Sequence, residues 1–406
     1  MKLKPIITSL LETDAYKFSM GQVIFHQFNK DKTRWAFKCR NKDVKFTPEM
    51  ITEIREQVAH YCTLRFTEEE LYWLSKAFPW IQEDYISFLR FWHPRREEIF
   101  INENYVQSYD DNDCCLAIET EGTWLNTSMY EIVLLAIVNE VYFAFTYGEG
   151  KFDIEFQKRT MEKFEKIKNG TYNIGTFSEF GLRRRYSSYT QDWLIKFLAE
   201  SNIPGFVGTS NVYLAKKYGV RAMGTQAHEF YMGLQAHFEW NPTYTNMYGM
   251  KAWTKEYETQ LGIALTDTLG TDIFLRDFNL TYATLFSGVR HDSGNPITWG
   301  EKLIKHYQKL GIDPKTKTLL FSDSLDFERA DKIRKHFEGR INVAFGIGTY
   351  LSNPLDNPLN IVFKMIECNG SPVAKISDVP GKGMCKSKEY VDYLQRAINW
   401  RILSGR

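Results

Sequence analysis

Hydrophobic and polar positions change their rhythm along the chain. From Arg34 to Arg40 they alternate, the period of a half-buried strand. Thr47–Tyr61 and Thr67–Phe78 instead carry apolar residues at helical spacing behind a threonine N-cap, and Glu70, three residues after Thr67, completes a capping box. The most apolar run, Ile132–Phe145, contains Asn139 and Glu140. It is too short and too polar for a bilayer span and predicts a buried core helix.

After about residue 115, short apolar runs alternate with helical stretches. Ala117–Thr120 precedes a helix around Met129–Phe145, and Gly205–Val207 precedes Asn211–Tyr218. Ala222–Met223 leads into a histidine-bearing turn, Leu319–Phe321 precedes Asp326–Phe337, and Ile341–Phe345 precedes a glycine-rich turn. This alternation predicts a parallel sheet, open or closed into a barrel. Polar residues cluster directly after these runs, where (β/α) barrels carry their chemistry. Glu389–Ile402 predicts a terminal helix.

The 406 residues exceed what one core holds, so a large and a smaller domain are expected. With 51 basic and 50 acidic residues the net charge is +1, against a nucleic-acid partner; any anion must be met by a local cluster. The six cysteines form no CxxC pair, which fits reduced thiols in a cytoplasmic protein rather than a disulfide frame or zinc site. The first residues show no signal segment, and no membrane association is expected.

Five segments could carry chemistry. In Phe177–Arg185, Phe180 offers a ring face and Arg183, Arg184 and Arg185 a phosphate- or carboxylate-binding cluster, or simply a solvated run. In Gly208–Asn211, Thr209 and Ser210 cap a helix or bind an anion. In Gly224–Glu229, His228 follows a strand, with Glu229 beside it to hold the imidazole in one tautomer. In Arg290–Pro296, Arg290 and Asp292 precede a Gly-Asn-Pro turn; Asp267, Asp272 and Asp323 fit the same position on other strands, as Mg²⁺ or ribose ligands or as helix caps. In Phe345–Tyr350, Gly346 and Gly348 let backbone approach a phosphate late in a barrel.

Together with Leu11–Met20 (LETDAYKFSM), the order of these segments resembles nicotinate phosphoribosyltransferases of bacteria and yeast, from there to about Pro354. The resemblance implies an irregular (β/α) barrel of the type II phosphoribosyltransferase kind with an N-terminal α+β domain. The expected division is 1–115 for the N-terminal domain, with a C-terminal helix in 385–406 packing back on it, and 116–384 for the barrel. It implies a homodimer with the active site at its interface, the substrates nicotinate and phosphoribosyl pyrophosphate, ATP as co-substrate, and Mg²⁺. Carried onto this chain, His228 becomes the phosphorylated histidine. Tyr16, from the partner subunit, and Phe180 sandwich the pyridine ring. Thr209, Ser210 and Arg290 lie near nicotinate and ribose, and Arg183 meets phosphate or carboxylate. Asp267, Asp292 and Asp323 hold ribose or Mg²⁺, with Asp267 and Asp292 the expected metal ligands. Gly346, Gly348 and Thr349 cradle the 5′-phosphate. The nicotinamide-using relative has aspartate where this chain has Ser210, which favours nicotinate here through like-charge rejection. Nicotinamide transfer and a non-catalytic binding relative are the alternatives.

Overall fold

In the computed structural model, residues 2–103, 113–238, 241–379 and 385–404 are described. The expected helices form where their caps predict. Thr47 Oγ1 accepts from Met50 N at 3.3 Å ahead of helix Pro48–Tyr61, and Thr67 and Glu70 form the full capping box of helix Glu68–Ala77. Each such cap satisfies an amide left over at a helix start.

Strands fall into two sheets. The first joins β1 (Lys32–Cys39), β2 (Ile99–Ile101) and β3 (Ile118–Thr123) to two strands from late in the chain, β11 (Ile361–Cys368) and β12 (Ser371–Pro372). Its order is β12-β11-β1-β3-β2, with antiparallel pairing throughout. The second holds β4 (Thr176–Glu179), β5 (Phe206–Thr209), β6 (Arg221–Ala222), β7 (Ile263–Leu265), β8 (Gly288–His291), β9 (Thr318–Phe321) and β10 (Asn342–Ile347), all parallel, in the order β6-β5-β4-β10-β9-β8-β7. Because β10 lies beside β4, the sheet curls into a barrel with one seam between β6 and β7. Two side chains bridge that seam: Thr225 Oγ1 donates to Ile263 O at 3.1 Å, and Leu265 N donates to Gln226 Oε1 at 3.2 Å. This is the irregular (β/α) barrel with an N-terminal α+β part.

The sheets do not divide at 115/116. The run Ala117–Thr120, expected to be a barrel strand, lies in β3 and pairs with β1, while β11 and β12 return from beyond the barrel to the same sheet. A strand followed by a helix looks alike in either sheet; only the distant partner distinguishes them. The C-terminal helix Lys388–Ser404 is present, but its apolar stripe meets the barrel side. Leu394 and Ile398 pack with Leu269 and Ile273, and Arg401 pairs with Asp277 of helix Thr271–Asp277 at 2.5 Å.

Helix Tyr130–Tyr147 is buried along most of its length, as the apolar run predicted. Its two polar residues grip a neighbouring loop. Asn139 donates to Arg185 O, and Glu140 accepts from Ser188 N and Oγ, both at 2.8 Å.

Candidate functional site

The C-terminal ends of the barrel strands open into a cavity of about 370 Å³. The antiparallel sheet closes its other side. Tyr16, Phe180, Arg183, Ser210, His228, Arg290, Asp292, Asp323, Gly348 and Thr349 all line it, so segments far apart in sequence converge on one space. Four expected members do not reach the wall, each for a visible reason.

Thr209 is buried and donates to Glu179 Oε2 at 2.6 Å, so it braces the strand ends behind the cavity. Glu229 turns away from its neighbour His228 and binds Lys17 and Ser128 instead. The imidazole is held by Asp267, which lies behind it: His228 Nε2 stands 2.7 Å from Asp267 Oδ1. Gly346 makes room for a ring, because a Cβ there would come 2.2 Å from the Phe180 side chain. A further candidate, Asp272, lies outside the site and pairs with Lys302 at 2.6 Å.

Tyr16 lines the cavity of its own chain. Leu11–Met20 is fastened there by the Asp14–Asn211 bridge and by Ser19 Oγ donating to Thr225 O at 2.6 Å. Gly224 permits this approach, since a Cβ would lie 2.9 Å from Tyr16 N.

The arginine run splits three ways. Arg183 faces the cavity, with its Nη1 3.7 Å from Glu131. Arg184, also at the wall, donates to Asn360 Oδ1 at 3.0 Å. Arg185 is buried between Glu12 (3.2 Å) and Glu140 (3.6 Å). Arg290 Nη1 donates to Gln226 O at 2.9 Å, which ties it to the barrel seam. In the same motif, His291 packs against Trp299 and Phe321 in the core, and Asn295 caps helix Pro296–Lys309.

Lys364 on β11, Lys375 after β12 and Arg40 after β1 also line the cavity, and the sequence reading had missed all three. A lysine inside the apolar strand Ile361–Cys368 was the available signal. Six cations, Arg40, Arg183, Arg184, Arg290, Lys364 and Lys375, thus surround a cavity with three carboxyl groups on its wall, Asp14, Asp292 and Asp323. In a chain of net charge +1 this is the local cluster an anion requires. Burial, with Lys375 and Arg40 nearby, pushes Lys364 down to about 7. An incoming polyanion relieves that crowding.

His228, Asp267 and Asp292 bring one ligating atom each within 4.8 Å of one another. However, Asp267 already meets His228, Ser293 Oγ at 2.6 Å and Lys375 Nζ at 2.9 Å. An ammonium therefore already satisfies this carboxylate, and Asp267 does not fit a metal ligand. Asp292 and Asp323, both at the wall, retain the hard oxygen chemistry that Mg²⁺ requires. Although burial opposes ionisation of Asp267, His228 and Lys375 hold it well below the carboxylate range. Burial and Lys375 lower the His228 imidazole from its usual value, against the pull of Asp267 and Asp292. A neutral imidazole facing a carboxylate donates through Nε2, which leaves the Nδ1 lone pair open. Among the described residues no group hydrogen-bonds Nδ1.

A parallel barrel with a cationic cavity at its strand ends, two aromatic rings on the wall and an anchored imidazole defines an enzyme for phosphorylated and aromatic small molecules. Comparison with known proteins narrows this class. The sequence profile of the nicotinate phosphoribosyltransferase (NAPRTase) family matches residues 176–401, and that of the family's N-terminal domain matches residues 11–139. Nicotinate phosphoribosyltransferase of Cupriavidus necator is 43% identical over 399 residues, covering 97% of this chain and 98% of its own. The Ralstonia pickettii protein of that name is 42% identical over 401 residues, covering 97% of this chain and 99% of its own. The crystal structure of nicotinate phosphoribosyltransferase from Vibrio cholerae superposes with a TM-score of 0.89 at 36% identity, over 97% of this chain and 94% of that one. The chain belongs to the nicotinate phosphoribosyltransferase family.

Proposed function

We propose that this protein transfers the phosphoribosyl group of 5-phosphoribosyl 1-pyrophosphate to the ring nitrogen of nicotinate, and that ATP drives the transfer by phosphorylating His228. One observation carries this function: an imidazole anchored by Asp267, its Nδ1 met by no described group, lies on the same wall as Phe180, Tyr16 and the cation cluster. In the transfer, the pyridine lone pair forms a bond to C1 of the ribose while the C1–O bond to pyrophosphate breaks. The pyrophosphate leaves with the electron pair. The ring nitrogen needs no base, since it carries no proton. Positive charge develops on the sugar, as in glycosyl transfer, so the chain's task is orientation and stabilisation of the departing anion.

Phe180 and Tyr16 orient the ring. The cationic side chains receive the phosphates, with Gly348 and Thr349 at the end of β10 for the 5′-phosphate. Asp292 and Asp323 would hold Mg²⁺, which supplies charge neutralisation at the pyrophosphate. Nδ1 of His228 attacks the γ-phosphorus of ATP and ADP leaves; the added phosphate brings charge and acceptor oxygens that reshape the cavity for the donor. The chain is further read as a cytoplasmic homodimer. Because Tyr16 lies on its own chain's cavity, a partner need not supply that ring.

With phosphoribosyl pyrophosphate and Mg²⁺ present, nicotinate is expected to give nicotinate mononucleotide, faster with ATP than without. No product from nicotinate would contradict the transfer; product formation indifferent to ATP would contradict the coupling. Stacking on Phe180 gives a separate prediction. Gly346→Ala forces the ring off its seat and raises the nicotinate KM several-fold to about tenfold, the scale of a lost aromatic contact. An unchanged KM in steady-state kinetics would put the pyridine ring elsewhere.

A further inference from the structure

Asp14 brings a carboxyl group to the same part of the cavity as Ser210. The backbone fixes the pair: Asp14 and Asn211 form an antiparallel bridge, and Ala15 N donates to Ser210 O at 2.9 Å. Asp14 is 5% exposed, and its Oδ1 lies 2.6 Å from Ser210 Oγ. Tyr16 and Arg183 both favour the ionised Asp14 carboxyl, and Arg183 is the cation that faces it. Glu131 of helix Tyr130–Tyr147 and Glu179 at the end of β4 are the acidic groups close enough to act on it.

A hydroxyl has one hydrogen to give. If Asp14 is ionised, Ser210 spends that hydrogen on Asp14 and shows only lone pairs to the cavity. Lone pairs suit the NH₂ of an amide and oppose a carboxylate. If Asp14 is protonated, the acid donates to Ser210 Oγ, and the serine hydrogen turns toward the cavity as a donor for a carboxylate. The same proton removes the charge that would repel an anionic ligand.

We propose that Asp14 and Ser210 form the acid/amide selector of this site, in which nicotinate binds together with one proton carried by Asp14. This deepens the nicotinate reading and rests on it. Ser210 alone does not account for selectivity, because a carboxyl group stands beside it. Burial raises the Asp14 carboxyl above its ordinary range, against the effect of Arg183. An anion bound at Ser210 raises it further. Nicotinate is therefore favoured below the Asp14 pKa of the free protein and loses ground as pH rises through it, by up to about tenfold per pH unit for one linked proton. Nicotinamide gains over the same range.

The test is competition between nicotinate and nicotinamide for the full protein across the acid-to-alkaline range, with the two products separated. The ratio of their kcat/KM values cancels the titration of His228 and of the shared donor. The expected ratio falls with pH by up to about tenfold per unit in the wild type. It is flat in Asp14→Asn, whose amide donates to Ser210 Oγ at every pH. A flat wild-type ratio, or an equally steep one in Asp14→Asn, overturns the proposal. Should that variant not fold, wild-type calorimetry decides: in buffers of different ionisation enthalpy across the pH range, nicotinate binding takes up a proton wherever Asp14 is ionised in the free protein, and zero uptake at every pH overturns the selector. Absence of mononucleotide from nicotinate at every pH would instead sink the function reading, and the selector with it.

Discussion

Asp267→Asn is expected to slow phosphorylation of His228 by about a thousandfold or more, the scale seen when an imidazole is held in the wrong tautomer. The reason lies in the other side of the carboxylate. Ser293 Oγ and Lys375 Nζ both approach Oδ2, at 2.6 and 2.9 Å, and an ammonium can only donate. They fix the oxygen of Asn on their side and turn its NH₂ toward His228 Nε2. An imidazole that accepts at Nε2 carries its proton on Nδ1, the atom with no protein partner, and the nucleophilic lone pair is lost. Asp267 is thus a positioning residue. Rapid-quench labelling with ATP reads the rate, and an unchanged melting temperature separates this effect from unfolding. A labelling rate within a few-fold of the wild type would show that the tautomer is set by something else.

Arg185→Ala is expected to cost about 3–5 kcal/mol of stability, because it strands buried acids rather than removing a surface charge. Arg185 is 1% exposed and lies between Glu12 and Glu140. Burial already lifts Glu140 to about 7 despite Arg185, so losing the guanidinium lifts it further. A carboxyl group whose folded pKa exceeds its unfolded value stabilises at low pH, and that contribution is lost as pH rises through the folded value. The variant should therefore be hurt more above neutrality than below it. In thermal melts the drop is of order 5 °C, since an unfolding entropy of about 2 cal/mol/K per residue makes roughly 1 °C per kcal/mol for 406 residues melting as one unit. A variant that melts with the wild type would mean the two acids find other partners.

Local signals in the sequence were decisive where local physics decides. Thr67 and Glu70 predicted their capping box, and the apolar run Ile132–Phe145 predicted a core helix. Strand-end positions predicted most of the cavity wall, because barrels put those ends together. What was missed depended on distant partners. Ala117–Thr120 reads as a βα unit, but its pairing partner β1 lies some eighty residues earlier. Glu229 beside His228 looked like its orienter, yet adjacent residues on a helix point apart, and Asp267, 39 residues on, does the work. Lys375 sits in a stretch after β12 with no local signal, and only the fold shows its ammonium paired with Asp267. Gly346 and Gly348 looked equivalent; one seats the Phe180 ring and the other faces the cavity.

The claim that most else depends on is that His228 accepts a phosphoryl group through Nδ1. Incubation of the purified protein with γ-labelled ATP, followed by ³¹P NMR and peptide mapping, tests it most directly. An acid-labile phosphate on His228 Nδ1, missing in His228→Ala and released when nicotinate and phosphoribosyl pyrophosphate are added, is the predicted result. No label on the wild-type protein, or label that survives His228→Ala, would contradict it.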